Sequence, residues 1–338
     1  MRISLIAIFF SLFIFRSPAQ DPKQFSIVFY NTENLFDWKN DSIKNDNEFT
    51  PEGERHWTYK RFQKKLQNIS KVLLAAGGWN SPSVIGLCEV ENRFVLELLL
   101  KNTALKSIPY RIIHKESPDS RGIDVALIYN PDDFNPIEYQ YYPLLDEDGT
   151  VRKTREILHV SGMLGADTIH FFVNHWPSRY GGLMETRSSR KLAADLLKQK
   201  TTEVFTKNRL AKIVIMGDFN DQPNDESLVE LGAQKLPDEP GSELLYNLSY
   251  SWMGDKTGTL KYQSQWFVFD QIIVSGALLN ADKSLKTSQE NATVVSLPFL
   301  LVEDKRYGGQ KPARTYNGFQ YSGGFGDHLP VRLLIDSD

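Results

Sequence analysis

The sequence has a single cysteine, and several familiar catalytic motifs are missing from it. Cys88 has no partner, so no disulfide can form within the chain. It lies in the apolar stretch 84–88, where a small buried hydrophobic residue is far more common than a reactive thiol. The sequence also lacks a serine nucleophile elbow, a glycine-rich phosphate loop and the His/Cys spacing of a zinc site. These absences disfavour chemistry centred on any of the three.

Long apolar runs are also scarce, and the one that stands out is at the amino terminus. Residues 3–15 are almost wholly apolar, and residues 17–19 supply small side chains before a cleavage point. This pattern predicts a secretory signal peptide over residues 1–19, cleaved between Ala19 and Gln20. The run is short for a transmembrane span, and an uncleaved anchor is the alternative. We therefore expect a secreted or periplasmic protein with no stable membrane association after cleavage.

The composition is that of an ordinary globular protein. The chain has 338 residues, of which 41% are apolar and 24% charged, enough to bury a full core without disulfides. Loss of residues 1–19 removes two arginines and no acid, which moves the net charge from −3 to −5. A mildly acidic protein is not suited to coat nucleic acid without selectivity. We predict one domain over residues 20–338, and the sequence does not indicate a protein partner.

Strand patterns alternate with helical ones along the chain. Apolar residues at helical spacing predict helices over residues 62–73 and 94–105 and a long helix after residue 182. Lys65 and Arg190 are expected on the solvated faces of their helices. Predicted strands cover residues 24–31, 84–88, 110–114, 123–129, 139–145, 157–163, 168–175, 213–216 and 259–275, with a last strand ending near residue 335. Because strands outnumber helices, we expect mixed sheets packed as a sandwich and covered by helices.

Six of the predicted strands end in, or carry, polar residues that a core would not select. These residues are Asn31 and Glu33, Glu89, His175, Asp218 and Asn220, Asp270, and Asp327 with His328. If the chain stays extended after Gly217, Asp218 and Asn220 point the same way and face one spot. Taken singly, each pattern also fits a turn, a helix cap or a satisfied histidine. Their joint occurrence at strand ends favours a polar site at one rim of the sandwich.

Asp270 is the most informative of these residues. It shares its predicted strand face with Trp266, Val268 and Ile272, so its carboxylate would be costly to bury alone. A histidine held in one tautomer by the carboxylate is the natural partner. The alternative is that Asp270 lies on an exposed edge strand.

The polar strand ends together resemble the motifs of the endonuclease/exonuclease/phosphatase family. In chain order these are FYNTENLF at 29–36, GLCEV at 86–90, NHWP at 174–177, GDFN at 217–220, DQII at 270–273 and DHLP at 327–330. One such motif is weak, but six in the family's order, between about residues 24 and 335, are specific. The resemblance implies an α+β fold, a four-layer α/β/β/α sandwich of two mixed β-sheets flanked by helices (DNase-I-like), with the active site at one rim.

The resemblance also implies a divalent metal site. Glu89 is expected to be the principal ligand, with Asn31 and Glu33 close by and Asp327 sharing the ion. Hard oxygen ligands of this kind suit Mg²⁺ or Mn²⁺ better than zinc.

The resemblance also implies catalytic roles for the other polar residues at the strand ends. Asp218 and Asn220 are expected to orient water and phosphate. His328, braced by Asp270, would act as general base or stabilise the phosphorane. His175 would contact the scissile phosphate or protonate the leaving oxygen. Which histidine is the base and which the acid stays open, as does whether Asp218 itself takes the proton of the water.

The expected substrate is a phosphodiester, with DNA or RNA favoured. Arg179, Asn31 and basic residues of segment 299–325 such as Arg314 are candidates for gripping phosphates. Segment 121–127 lacks the tyrosine of the family's abasic-site members, and Asp124 is a candidate to orient His175 instead. The hypothesis is an exported Mg²⁺-dependent phosphodiesterase, most simply a nuclease. Alternatives are a phosphatase or diesterase acting on lipid or sugar phosphates, and a catalytically silent binding module of the same fold.

Overall fold

The computed structural model describes residues 23–254, 256–280 and 284–337. The signal peptide predicted over residues 1–19 lies outside this part of the chain. Helices in the described part are α1 Tyr59–Gly77, α2 Arg93–Lys101, α3 Leu183–Lys207 and α4 Glu226–Leu231. None of these described helices combines the length and the apolar character that crossing a membrane requires.

Strands make up most of the remaining regular structure. In chain order they are β1 Lys23–Leu35, β2 Val84–Val90, β3 Arg111–His114, β4 Asp124–Tyr129, β5 Phe134–Tyr142, β6 Ile157–Leu164, β7 Asp167–His175, β8 Lys212–Asp218, β9 Ala233–Gln234, β10 Leu245–Asn247, β11 Leu260–Tyr262, β12 Gln265–Phe267, β13 Asp270–Ser275, β14 Leu285–Lys286, β15 Ala292–Val294, β16 Leu301–Glu303, β17 Gln310–Pro312, β18 Tyr316–Asn317, β19 Gln320–Tyr321 and β20 Val331–Ser337.

The strands form two mixed sheets. The first has the order β14-β20-β1-β2-β4-β3, with β15 also paired to β20, and the second has the order β5-β6-β7-β8-β13-β10-β9. In the first sheet β1 runs parallel to β2 and antiparallel to β20. In the second sheet β8 runs parallel to β7 and antiparallel to β13. The strands β1 and β8 are therefore interior strands, and each ends in residues predicted for the site.

Three apolar clusters separate the layers. One lies between the two sheets, a second between the first sheet and helices α1 and α2, and a third between the second sheet and helices α3 and α4. At Gly86 the two sheets come so close that an added Cβ would lie 3.0 Å from the sulfur of Met216. Helices outside two face-to-face sheets are the four-layer sandwich that the sequence predicts, and this prediction is confirmed.

One long predicted strand is wrong in detail. The sequence predicts a single strand over residues 259–275, but the chain forms the hairpin β11–β12 and only then enters β13. Gln263 turns the hairpin with a left-handed φ of 54°, which its sequence neighbours did not indicate. Trp266 therefore lies on a separate ribbon and does not share a sheet face with Asp270.

The two basic residues expected on solvated helix faces are both buried. Lys65 is 1% exposed and lies beside Glu33, and Arg190 is 0% exposed and lies beside Asp221. A buried carboxylate needs a charged or hydrogen-bonding partner, and these side chains provide one. The prediction of solvated faces is therefore wrong at Lys65 and Arg190.

Candidate active site

Three neighbouring strands of the second sheet bring polar residues side by side. His175 at the end of β7 is the register partner of Asp218 at the end of β8. Asp218 is in turn the register partner of Asp270 at the start of β13. All three side chains are buried. The expectation that polar strand ends meet at one rim is confirmed for this row of residues.

The first sheet contributes His328, which reaches across to Asp270. Its Nδ1 lies 2.6 Å from Asp270 Oδ2. The Thr259 hydroxyl accepts a hydrogen bond from the Asp270 backbone N–H at 3.1 Å, which fixes the start of β13. The predicted carboxylate–histidine pair is therefore present. The edge-strand alternative is wrong, because β13 lies between β8 and β10.

The charge on the His328 ring follows from its neighbours. Burial disfavours the charged ring, but Asp270 and Asp218 outweigh burial and raise the pKa of His328 well above its ordinary value. His328 is therefore an imidazolium at neutral pH, with Nε2 pointing towards Asp218 at 3.8 Å.

Asn31 joins the two sheets through its side-chain amide. Its Nδ2 donates to Asp218 Oδ2 at 3.0 Å and to Glu89 Oε1 at 3.3 Å. Its Oδ1 accepts a hydrogen bond from the Glu33 backbone N–H at 2.9 Å. Glu89 Oε2 accepts from the Asn34 backbone N–H at 2.8 Å. In this arrangement Asn31 orients the two carboxylates of Glu89 and Asp218.

Glu89 does not cap the helix that follows it. The N-cap residue of α2 is Asn92, whose side chain accepts from the Val95 backbone N–H. Glu89 instead takes a left-handed φ of 59° and faces Asn31. The capping alternative for Glu89 is therefore wrong.

Asp218 lies at the centre of the polar cluster. Its Oδ2 is 3.8 Å from Nε2 of His175 and 3.8 Å from Nε2 of His328. Its Oδ1 accepts from the Asn220 backbone N–H at 2.9 Å. Burial, with the charges of Asp270 and Glu89, raises the pKa of Asp218 to about 7, although the His328 charge lowers it. Asp218 can therefore gain or lose a proton near neutral pH.

His175 occupies an environment of the opposite kind. Burial, and then the charge of Arg155, lowers the pKa of His175 well below its ordinary value. Its Nδ1 is buried and finds no hydrogen-bond partner within the described residues. Asp124 does not orient it, because that carboxylate accepts from His114 Nε2 at 2.8 Å and from a backbone N–H at 2.7 Å. The predicted role of Asp124 is therefore wrong.

Asn220 does not continue strand β8. Its φ of 51° turns the chain at the strand end, and its Nδ2 donates to the Trp176 carbonyl at 3.1 Å. The prediction that Asp218 and Asn220 face one spot from an extended chain is therefore wrong. Asn220 reaches Asp218 through its backbone N–H instead.

Arg179 holds the same turn from outside. Its guanidinium donates to the Asn220 carbonyl at 2.7 Å, to Asp221 at 2.8 Å and to Asp225 at 2.5 Å. Arg190 binds the second oxygen of Asp221 at 2.8 Å. The structure places Arg179 as an anchor of the Asn220 turn, and its contact with a substrate phosphate stays a prediction.

Glu33 and Asp327 lie in ion pairs. Glu33 accepts from the Thr315 backbone N–H at 2.6 Å and lies 3.6 Å from Lys65 Nζ and 3.4 Å from Arg314 Nε. Asp327 lies 2.7 Å from Arg314 Nη2. Burial and the Asp327 charge raise the pKa of Glu33, while Lys65 and Arg314 oppose that rise. Neither Lys65 nor the role of Arg314 beside these acids was expected from the sequence.

Backbone strain is concentrated at the site. Glu33, Asn34, Glu89 and Asn220 are four of the six non-glycine residues with a left-handed φ in the described part of the chain. Each such conformation costs about 1 kcal/mol or more, and residues of this kind cluster at functional sites. The conformations cannot be inferred from the sequence, because asparagine and glutamate are also common in ordinary turns.

Two places in the site could hold a divalent cation, and Glu89 is one of them. Its side chain is 17% exposed, and no lysine or arginine of the described residues lies within 4.0 Å of its carboxylate. Ligand atoms of Asp218, Asp270 and His328 also lie within 4.8 Å of one another. That trio is less suited to an ion, because Asp270 Oδ2 and His328 Nδ1 are already bound to each other. The Glu89 carboxylate accepts hydrogen bonds from Asn31 and from the Asn34 N–H, and carboxylate oxygen is a ligand type that Mg²⁺ accepts.

Solved structures of low sequence identity share this fold. An endonuclease/exonuclease/phosphatase family protein from Bacteroides thetaiotaomicron matches 95% of this chain and 97% of its own, with 15% identity and a TM-score of 0.57. The human nocturnin catalytic domain with a bound sulfate anion matches 93% of this chain and 95% of its own, with 15% identity and a TM-score of 0.56. D. rerio TDP2 complexed with a single-strand DNA product matches 92% of this chain and 98% of its own, with 13% identity and a TM-score of 0.54.

The family assignment rests on the sequence itself. No curated protein sequence matches the chain. The profile of the endonuclease/exonuclease/phosphatase family, however, matches residues 26–337, which is nearly all of the described chain. Members of that family are metal-dependent phosphoester hydrolases. The chain therefore belongs to the endonuclease/exonuclease/phosphatase family.

Proposed function

We propose that the chain is an exported, Mg²⁺-dependent phosphodiesterase, with nucleic acid as its favoured substrate. The observation that carries this proposal is the position of Asp218 Oδ2, 3.8 Å from Nε2 of both His175 and His328. A carboxylate between two imidazoles offers a proton acceptor and two hydrogen-bond donors around one small space. Hydrolysis of a phosphodiester needs an activated water and stabilisation of charge on the phosphate oxygens.

In the proposed mechanism Asp218 is the general base. Its pKa of about 7 suits proton uptake at neutral pH, whereas His328 already carries a proton and cannot accept another. Asp218 takes a proton from water as the water oxygen attacks phosphorus. The backbone N–H of Asn220 holds Oδ1. Oδ2 accepts from Asn31 Nδ2 and has a second lone pair for the water.

The two histidines stabilise the transition state in this mechanism. His328 donates a charged hydrogen bond from Nε2 to a non-bridging phosphate oxygen, and Asp270 keeps that ring protonated and oriented. His175 is neutral and donates a weaker hydrogen bond from Nε2.

Glu89 is the residue that we propose holds the divalent ion, with Asn31 orienting its carboxylate. An ion bound there would supply positive charge to the phosphate and leaving oxygens. The choice of Mg²⁺ or Mn²⁺ follows from the oxygen donors of the cluster.

The preference for nucleic acid is supported by a structural relative. The TDP2 structure from D. rerio is described as complexed with a single-strand DNA product. We propose that this chain likewise acts on DNA or RNA, at the rim where β1 and β8 end. Export is proposed on the apolar run and the small residues that precede Gln20.

A substrate panel tests the proposed function. Purified protein is incubated with Mg²⁺ and, separately, plasmid DNA, RNA, bis-(p-nitrophenyl) phosphate and phosphoinositides, each with and without EDTA. We expect EDTA-sensitive cleavage of nucleic acid and of the diester, and at least a hundredfold loss in Glu89→Gln. Turnover of none of these substrates would contradict the enzyme proposal. Cleavage of phosphoinositides alone would replace the nuclease by a lipid phosphatase.

N-terminal sequencing tests export. We expect the secreted form to begin at Gln20. A protein retained in the cytoplasm with an intact amino terminus would contradict the proposal of export without touching the proposed chemistry.

A further inference from the structure

The acidic residues of the site divide into two groups according to the partners that they face. Asp218 and Asp270 face histidines, and Glu89 has only His175 Nε2, at 3.9 Å, as a basic neighbour within 4.0 Å among the described residues. Glu33 and Asp327 instead face the Lys65 ammonium, whose pKa is lowered by burial, and the Arg314 guanidinium. Lysine and arginine charges therefore face the second group. In the first group Asp270 and Asp218 share the His328 imidazolium, and Glu89 has no lysine or arginine close by.

Arg314 spans both members of the second group. Its Nε lies 3.4 Å from Glu33 Oε1, and its Nη2 lies 2.7 Å from Asp327 Oδ2. The planar guanidinium thus bridges an acid at the end of β1 and an acid just before β20. The planar fork of a guanidinium holds its donors in fixed directions, which suits a bridge between two carboxylates.

Lys65 approaches Glu33 from helix α1. Its Nζ lies 3.6 Å from Glu33 Oε2 and donates to the Thr315 hydroxyl at 2.6 Å and to the Phe325 carbonyl at 3.0 Å. The three partners match the three donors of an ammonium group. Because its side chain is only 1% exposed, Lys65 has no route to solvent and stays beside Glu33.

We propose that Lys65 and Arg314 are built-in counter-cations that withhold Glu33 and Asp327 from metal, so that the site binds one divalent ion, at Glu89. A second ion beside Glu33 and Asp327 would meet the positive charges of Lys65 and Arg314 at close range, and both charges would repel it. Both oxygens of Glu33 and of Glu89 accept hydrogen bonds, but only Glu33 accepts one from a cationic side chain, that of Arg314. The inference rests on the proposed metal site and changes the roles that the family resemblance implied for Glu33 and Asp327.

Calorimetric titration of the full protein with Mn²⁺ tests this inference. We expect one ion per chain in the wild type and a second, weaker ion in Arg314→Gln, where both carboxylates lose the guanidinium. The first site should keep its Kd within about threefold in that variant. Glu89→Gln should abolish the first site. Arg209→Gln removes an exposed arginine that pairs with Glu243, and this control should leave the stoichiometry at one.

Lys65→Met provides a second test, since this variant removes the other cation. Circular dichroism establishes whether it folds, and in a folded variant we expect a second ion as well. Two ions in the wild type, or a stoichiometry of one in both folded variants, would overturn the inference. Binding of one ion without hydrolysis of any phosphoester would contradict the proposed function and leave the inference standing.

Discussion

His175 and His328 lie at equal distance from Asp218 and differ in almost everything else. Both are buried, and both place Nε2 3.8 Å from Asp218 Oδ2. His328 is backed by Asp270 at 2.6 Å, whereas His175 Nδ1 has no partner in the described residues and feels the charge of Arg155. The pKa therefore rises at one ring and falls at the other. Proximity to the shared Asp218 carboxylate does not by itself decide the pKa of a ring, since the group behind each ring makes the difference.

The supports behind the rings explain how this difference is held. On the His328 side, the Thr259 hydroxyl accepts a hydrogen bond from the Asp270 N–H. The Thr259 carbonyl accepts one from the Leu329 N–H at 2.7 Å. On the His175 side, Arg155 binds Asp119 at 2.9 Å and the Trp176 carbonyl at 2.7 Å. One side carries a buried negative charge and the other a buried positive charge, so the site is polarised across Asp218.

Removal of the shared carboxylate should have the largest effect. Asp218→Asn removes the proposed proton acceptor, which is also the carboxylate between His175 and His328. We expect kcat on bis-(p-nitrophenyl) phosphate to fall by about 10³-fold or more. Circular dichroism should show an unchanged fold. A rate within tenfold of the wild type would mean that another group takes the proton of the water.

The comparison predicts unequal effects for the two histidines. His328→Gln removes a charged donor and should lower kcat by about 10²- to 10³-fold. His175→Gln removes a neutral donor, and we expect about a tenfold loss. Both variants are measured under the same Mg²⁺ concentration and pH. A larger loss at His175 would reverse the assignment of charge to the two rings.

Asp270→Asn should change the pH dependence as well as the rate. Asp270 raises the pKa of His328, so in the wild type the imidazolium persists above the ordinary histidine range and activity falls only as pH rises through that raised pKa. Without the Asp270 charge the pKa of His328 drops, and the alkaline limb of kcat should move to lower pH. We expect about a 10²-fold loss at pH 8 and a smaller loss at pH 6. A uniform loss across the pH range would indicate that Asp270 acts only on geometry.

His159, a half-buried histidine that takes no part in the site, offers the mildest test. His159 Nε2 lies 3.0 Å from His170 Nδ1, and burial, with the His170 charge, lowers the pKa of His159 to about 3. The unfolded chain binds a proton near pH 6.5 and the native chain does not, so stability is lost as pH falls below 6.5.

Replacement of His159 by glutamine should remove this acid sensitivity. Between pH 6.5 and 5.5 the free energy of unfolding of His159→Gln should fall less than that of the wild type, by at most about 1.4 kcal/mol. Urea denaturation at several pH values measures the difference, and activity at pH 7.5 should be unchanged. Equal acid sensitivity of both proteins would show that burial alone does not decide the charge of a histidine here.

The sequence predicts the sandwich and most of the site because both depend on short patterns. Apolar runs mark interior strands, and polar residues that end such strands must meet at a rim, as His175 and Asp218 do. The pairing of Asp270 with a histidine follows from the cost of burying a lone carboxylate. These inferences need no knowledge of distant contacts.

The sequence does not predict the backbone conformation of the turns. It also does not predict which of two histidines pairs with a given carboxylate. The left-handed conformation of Asn220 turns its side chain away from Asp218, and no local pattern indicates this. Asp124 pairs with His114 and not with His175, and the sequence alone does not distinguish these two histidines as partners. Lys65 was predictable in principle, since positions 62, 65, 66 and 69 share one helix face with the apolar stripe. A charged residue within such a stripe indicates a buried ion pair.

Two of the hydrogen bonds that organise the site join the first sheet, or the loop before β20, to the second sheet. Asn31 at the end of β1 binds Asp218 at the end of β8, and His328, just before β20, binds Asp270 at the start of β13. Neither sheet can assemble the site without its partner. During refolding, therefore, recovery of strand structure should precede recovery of hydrolysis, and the delay between the two measures how slowly the sheets dock.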